Sequence, residues 1–141
     1  MHNGIIENFR ELRDELVGQG AHFGSETDTE VVAHLVTEEM KKGRSPVEAV
    51  RATLPRLRGA FALAFIFAGE DDLMIGARKG SPLAIGHGRG EMYLGSDAIA
   101  LAPFTDTISY LEEGDWAVVR RGGVEIFDAG GKPVKRQTIK T

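Results

Sequence analysis

No cysteine occurs anywhere in the 141 residues, and that absence removes several kinds of chemistry. The chain holds no disulfide framework, no thiolate nucleophile and no cysteine-ligated metal, and its composition fits a reducing compartment. Long apolar runs are lacking as well. The longest, Ala60 to Ala68, falls well short of the roughly 20 residues that a membrane-spanning helix needs, and no secretory apolar segment opens the chain. Positive charge is not in excess. A net charge of -4 argues against nucleic acid or an anionic membrane as the main partner. Pro-rich and Ser-rich tracts and internal repeats are missing too. What remains is the expectation of one soluble, cytoplasmic globular domain, long enough to bury about two-thirds of its unfolded surface.

Several catalytic patterns are equally absent. No G-x-S-x-G elbow is present, so no Ser-His-Asp arrangement can be argued. The histidines at 2, 22, 34 and 87 show no ligand spacing among themselves or with carboxylates, which excludes a recognisable zinc or iron motif. Gly86-His87-Gly88-Arg89-Gly90 lacks the spacing of a nucleotide loop and reads as a glycine-rich hairpin.

Helical periodicity dominates the first part of the chain. Asn3-Gly4 is a turn signal, and the apolar pattern behind it suggests a turn feeding a helix N-terminus, where unpaired N–H groups can receive an anion. Glu7 to Val17 has Phe9, Leu12, Leu16 and Val17 on one side, with Gly18 and Gly20 as stop signals. Ser25-Glu26-Thr27-Asp28-Thr29-Glu30 is dense in capping residues, with Thr27 and Glu30 forming one capping box and Ser25 and Asp28 another. The helix behind it places Val31, Val32, Leu35, Val36 and Met40 on its stripe. Ser45 and Pro46 start a third helix, buried through Val47, Val50, Leu54 and Leu57.

From residue 60 the period changes to that of strands. Ala60 to Ala68 reads as a strand buried on both faces. Leu73 to Ala77, Leu83 to Ile85, Met92 to Leu94, Thr107 to Leu111, Trp116 to Arg120 and Val124 to Phe127 are further short strands. Arg121-Gly122-Gly123 is a hairpin turn, Ala98 to Leu101 one helical turn, and Val134 lies in a last short strand. Arg136 to Thr141 is polar and reads as a linker or frayed terminus. Helices followed by a run of strands predict an α+β protein with a largely antiparallel sheet.

A few polar residues could carry chemistry. His34 lies beside an apolar stripe and reads as a partly buried helix residue. Ser96-Asp97 reads as a cap of the short helix that follows it. Arg78-Lys79-Gly80-Ser81-Pro82 is a basic turn that could face a phosphate but reads as a solvated loop. Asp28 suits the first turn of a helix on dipole grounds, and its carboxylate could also receive an ammonium group.

His2-Asn3-Gly4-Ile5-Ile6-Glu7-Asn8, followed by Ser25-Glu26-Thr27-Asp28-Thr29-Glu30-Val31, closely resembles the class II (N-terminal nucleophile) glutamine amidotransferase domain. Ala77 to Gly86, Gly95-Ser96-Asp97, Leu111-Glu112-Glu113-Gly114-Asp115 and Phe127-Asp128 narrow the resemblance to the glucosamine–fructose-6-phosphate aminotransferases (isomerizing). Amidophosphoribosyltransferases share the Asn-Gly and Asp-Thr-Glu elements but differ where this chain has Lys79-Gly80-Ser81-Pro82. The resemblance implies part of a four-layer αββα sandwich of two largely antiparallel sheets, without its N-terminal strands. It implies an oxyanion hole made by the Asn3 side-chain amide and the Gly4 backbone N–H, and Asp28 as the group that binds the α-ammonium of glutamine. It implies no cofactor and no metal.

The family nucleophile is an N-terminal cysteine whose own α-amine acts as base. The chain has neither that cysteine nor the family's Arg-Trp-x-Thr-His segment. The expectation is therefore a truncated fragment: residues 1–135 as the distal portion of the amidotransferase domain, and residues 136–141 as the start of a linker to absent sugar isomerase domains. Such a fragment is expected to be inactive alone, to bind glutamine weakly or not at all, and to form homo-oligomers through uncovered sheet edges. The alternatives are the same portion of another class II amidotransferase, or a non-catalytic ligand-binding domain of the same fold.

Overall fold

The computed structural model describes residues 2–20, 28–67, 69, 72–88, 92–95 and 101–140. The chain divides into two compact units, one made of residues 1–4 and 61–141 and the other of residues 5–60. Its elements are β1 (His2–Ile6), α1 (Phe9–Gly18), α2 (Asp28–Lys41), α3 (Pro46–Thr53) and a 3-10 turn (Leu54–Arg56), then β2 (Gly59–Ile66), β3 (Met74–Lys79), β4 (Ala84–His87), β5 (Met92–Gly95), β6 (Thr107–Tyr110), β7 (Trp116–Arg120), β8 (Gly123–Phe127), β9 (Pro133–Val134) and β10 (Thr138–Lys140).

In the helical unit, each helix buries the centre of the stripe its sequence marks, while Val17 at the end of α1 is 52% exposed and Val47 and Leu54 are only half-buried. Leu12 and Leu16 of α1 are buried, as are Val31, Val32, Leu35 and Val36 of α2 and Ala49, Val50 and Thr53 of α3. Ser45 caps α3, its Oγ accepting from the Glu48 N–H at 3.3 Å, with Pro46 opening the helix. The stripe of α2 also departs from expectation. Met40 is 37% exposed, whereas Glu39 is only 8% exposed. At 3.6 residues per turn, position 39 falls in the middle of the stripe set by Val31, Val32, Leu35 and Val36, and position 40 falls off its side. Glu39 tolerates the place because Lys42 and Arg44 reach its carboxylate at 3.3 and 3.0 Å.

The other unit is built from two sheets in which the strands from β2 onwards pair antiparallel with their described neighbours. The first has the order β1-β2-β3-β7-β8-β9 and the second β10-β6-β4-β5. Between them lies a core of Ala62, Leu83, Ile85, Leu111, Ala117 and Val119, flanked by Met74, Met92, Leu94, Val124 and Ile126. The opposite face of the second sheet packs Ala84, Ile108 and Tyr93 around Leu101. Gly86 on β4 permits this close cover, because a Cβ there would stand 2.7 Å from the Thr105 methyl. The expectation of a strand buried on both faces over Ala60 to Ala68 holds only at the centre of β2: Phe61, Ala62 and Leu63 are buried, whereas Ala60 is exposed and Ile66 is 80% exposed.

Two local readings are corrected. Asn3-Gly4 does not form a turn: both residues lie within β1, and α1 begins only at Phe9. The β-branched pair Ile5-Ile6 and the burial of Ile6 favour extended pairing over the turn that Asn-Gly signals in isolation. The polar tail is also not frayed. Thr138, Ile139 and Lys140 pair with Ser109, Ile108 and Thr107 of β6. The reading of residues 98–101 as a helical turn falls outside the described residues apart from Leu101, which is helical.

Candidate functional site

The residues assigned to chemistry are distributed over both units. Asn3 and Gly4 are neighbours on β1, which lies beside β2 in the six-stranded sheet. Asp28 is the first residue of α2 in the helical unit, the position where the helix dipole favours a carboxylate. The capping residues Ser25 and Thr27 lie outside the described residues, as do His22, Ser96 and Asp97.

Around β1 the backbone is held by polar ties within the helical unit. The Glu7 N–H donates to the Arg58 carbonyl at 2.7 Å. The Asn8 side chain donates from Nδ2 to the Arg56 carbonyl at 2.8 Å and accepts at Oδ1 from the Arg58 N–H at 3.0 Å. Glu15 of α1 pairs with Arg56 in the same segment. These contacts join the end of β1 to the entry of β2, and sequence reading missed them, because Asn8 fell inside the helix expected over Glu7 to Val17.

The basic turn after β3 is not an empty anion site. The Gly80 N–H points at both oxygens of Glu113, at 3.0 and 2.8 Å, so an internal carboxylate already occupies the place a phosphate would take. Gly80 reaches that geometry with φ of 81°, which L side chains rarely adopt. Arg78 is turned inward, and its Nη1 donates to the Leu111 carbonyl. The reading of this segment as a solvated loop is corrected in its first part: Arg78 and Lys79 belong to β3, Lys79 and Gly80 are exposed, and only from Gly80 does the chain leave the strand.

Next to this turn stands a buried charge that sequence reading did not single out. Asp115 is 1% exposed and accepts from the Glu112 N–H at 2.8 Å. Arg136 grips it in a forked pair, Nε to Oδ2 at 2.7 Å and Nη2 to Oδ1 at 2.9 Å, and also reaches Glu112 at 2.6 Å. Hydrogen bonding to Asp115 is the main cause holding the Arg136 pKa above its ordinary value, with the charges of Asp115, Glu112 and Asp128 adding to it. The pair ties the C-terminal segment to the turn before β7.

Among the described residues no group of three His, Asp or Glu side chains is placed to hold an ion. His34 is half-buried on α2, as expected. His87, at the end of β4, hydrogen-bonds through Nε2 to Ser109 Oγ at 2.7 Å, and burial lowers its pKa below the usual histidine value. β4 and β5, on either side of the glycine-rich segment, pair antiparallel from Ala84 with Gly95 to His87 with Met92, and Arg89 and Gly90 lie outside the described residues.

Comparison with known proteins agrees with this geometry. The family model of the glutamine amidotransferase domain matches residues 1–103. A glutamine–fructose-6-phosphate aminotransferase (isomerizing) of Brucella abortus is 67% identical over 141 residues, all of this chain and 23% of that protein. A Bradyrhizobium diazoefficiens protein of the same name is 70% identical over 141 residues, again all of this chain and 23% of its own length. The chain therefore spans about a quarter of the length of these relatives. Among solved structures, a glutamine phosphoribosylpyrophosphate amidotransferase of B. subtilis, complexed with ADP and GMP, matches with a TM-score of 0.76 at 28% identity, covering 92% of this chain and 28% of that one. A second structure, described as the allosteric regulatory enzyme of purine biosynthesis, matches at 0.72 and 28% identity, covering 91% of this chain and 27% of its own. The α+β arrangement of helices with two largely antiparallel sheets is that of the N-terminal-nucleophile amidotransferases. By sequence and by fold, the chain belongs to the glutamine amidotransferase domain family.

Proposed function

We propose that the chain is the distal portion of the glutaminase domain of a glutamine–fructose-6-phosphate aminotransferase. That enzyme takes ammonia from glutamine and delivers it to fructose-6-phosphate, yielding glutamate and glucosamine-6-phosphate. The observation that carries the reading is high identity to aminotransferase relatives along the whole chain, well above that to the amidophosphoribosyl structures. On this reading residues 1–135 belong to the amidotransferase domain. Residues 136–141, whose last strand pairs with β6, lead towards the sugar isomerase domains.

In this role the Asn3 amide and the Gly4 N–H are two neutral donors aimed where the glutamine side-chain carbonyl gains negative charge, and such donors stabilise the transition state more than the ground state. Glycine at position 4 leaves that N–H open to close approach. Asp28, its negative charge supported by the start of α2, receives the α-ammonium as a charge-assisted pair. The attacking group is not in these residues, because the class uses a cysteine thiolate and the chain contains none. The chain is thus expected to release no glutamate from glutamine on its own and to bind glutamine weakly. β1 is an edge strand of its sheet among the described residues, which favours self-association as a homo-oligomer. A cytoplasmic setting, without nucleic acid, membrane, metal or cofactor, completes the reading.

The test is a chimera in which these residues replace the matched segment of the Brucella abortus relative. It is expected to make glucosamine-6-phosphate from glutamine and fructose-6-phosphate. Asn3→Ala should lower the glutaminase kcat by about 10²–10³-fold, and Asp28→Asn should raise KM for glutamine. A folded chimera without activity, or an Asn3→Ala variant at full rate, would overturn the reading.

A further inference from the structure

We propose that the open end of the two-sheet core, beside the turn between β7 and β8, is a binding site for a small molecule with a ring-sized apolar body and one anionic group. The inference is independent of the roles proposed for Asn3, Gly4 and Asp28.

Strand register builds the apolar part. Met74, the first residue of β3, stands opposite Ile66 of β2 on one side and Val119 of β7 on the other. Val119 is buried, whereas Ile66 is 80% exposed, so this apolar row is closed at one side only. From the second sheet, Met92 at the start of β5 packs against the same core. Leu73, Met74, Met92 and Val119 line a cavity of about 360 Å³. All four belong to the unit that holds both sheets. Ligand pockets span about 300–1,000 Å³, and this one lies near the lower bound. It has room for one ring and a head group, and none for a folded partner.

Charge at the rim selects the head group. Arg120 ends β7 and Arg121 follows it; both are exposed and both line the cavity. Among the described residues neither guanidinium has an ion-pair partner. The acid at this rim, Asp72, is spent on the backbone: its Oδ1 accepts from the Arg121 N–H at 2.7 Å, which holds the turn in place. Two guanidinium groups therefore share the rim with one carboxylate already in use. Arg121 follows Val119 by two, the spacing that shares a face along a strand, which makes it the first choice for the anion contact.

The opposite end of β3 gives the contrast. There Lys79 leads into the Gly80 turn, whose N–H is taken by Glu113. The anion place at that end is filled from within the chain, and the one beside Arg121 is not. A guanidinium pairs with a carboxylate or phosphate through parallel N–H donors, while methionine side chains adapt to the shape of an apolar body. An inorganic anion would leave the apolar lining wet, and a neutral ring would leave the arginines unused.

The two methionines make the site observable. In the 141-residue chain carrying ¹³C-methyl methionine, phenyl phosphate is expected to shift the Met74 and Met92 methyl signals together, with a Kd of about 1 mM or below. Met40, on α2 in the other unit, should not move. Phenol and inorganic phosphate should each bind about tenfold more weakly. Arg121→Ala should weaken phenyl phosphate by about fivefold or more and leave phenol unchanged, and added salt should weaken it in the same sense. Should the isolated chain self-associate, the titration in the chimera decides, with the two signals identified by Met74→Leu and Met92→Leu. Unmoved Met74 and Met92 methyls overturn the site. Equal affinity for phenol or inorganic phosphate, or unmutated affinity in Arg121→Ala, overturns the ligand class.

Discussion

Glu39 in the helical unit and Asp115 in the sheet unit are both nearly buried acids with cationic partners, yet they do different things. The partners of Glu39, Lys42 and Arg44, lie within five residues, and their side chains remain largely in water. Asp115 is gripped by Arg136, 21 residues further on, and also accepts from the Glu112 N–H. The first pair makes an ill-placed acid tolerable. The second holds a chain segment, because β10 follows Arg136 by two residues and lies against β6. A buried ion pair reports on the fold when its partner is remote and its remaining lone pairs are met, and on little more than local neutralisation otherwise.

The sharpest way to break this contrast is to delete one acid at a time. Asp115→Ala strands the Arg136 guanidinium and the Glu112 N–H and frees β10. Urea unfolding is expected to show a loss of about 3–5 kcal/mol, and hydrogen exchange should show residues 138–140 losing protection first.

Acidification probes the sheet unit more gently. Burial lowers the His87 pKa, so the unfolded chain takes up its proton first as pH falls. The stability tied to neutral His87 is fully present above the ordinary histidine value of about 6.5 and is lost as pH drops through it towards the folded-state value. Thermal midpoints between pH 7.5 and 5.5 should fall, and His87→Gln should flatten that slope.

The smallest effect is expected in the helical unit. Glu39→Met extends the apolar stripe, and its former partners simply return to solvent. Unfolding should change by less than about 1 kcal/mol, in either direction. A loss matching that of Asp115→Ala would erase the distinction between the two acids.

Much of the helical unit was legible because its signals are local. Ser45-Pro46 caps and opens α3 as its residues indicate, and the stripes on α1 and α2 follow from a 3.6-residue period. Met40 was misplaced because a stripe read by residue type alone does not register that Glu39 sits at its centre. The strands were legible as strands, but their partners were not. Nothing local says that β3 lies between β2 and β7, or that a polar tail would become β10. The same limit governs the candidate site. Asn3, Gly4 and Asp28 could be named from motif resemblance, whereas Asn3-Gly4 alone reads as a turn, and Asn8 as part of the first helix.

Composition and periodicity were enough to settle that this chain is an α+β protein without thiol chemistry, since side-chain inventory and hydrophobic period act over a few residues. Three things waited for the tertiary structure: Asn-Gly drawn into an edge strand, the Asn8 amide spent on the Arg56–Arg58 backbone, and Asp115 closed by Arg136. Each joins groups 21 to 50 residues apart or depends on a neighbouring strand. Hydrogen-bond partners at such range are chosen by the packing of the whole chain and leave no local trace.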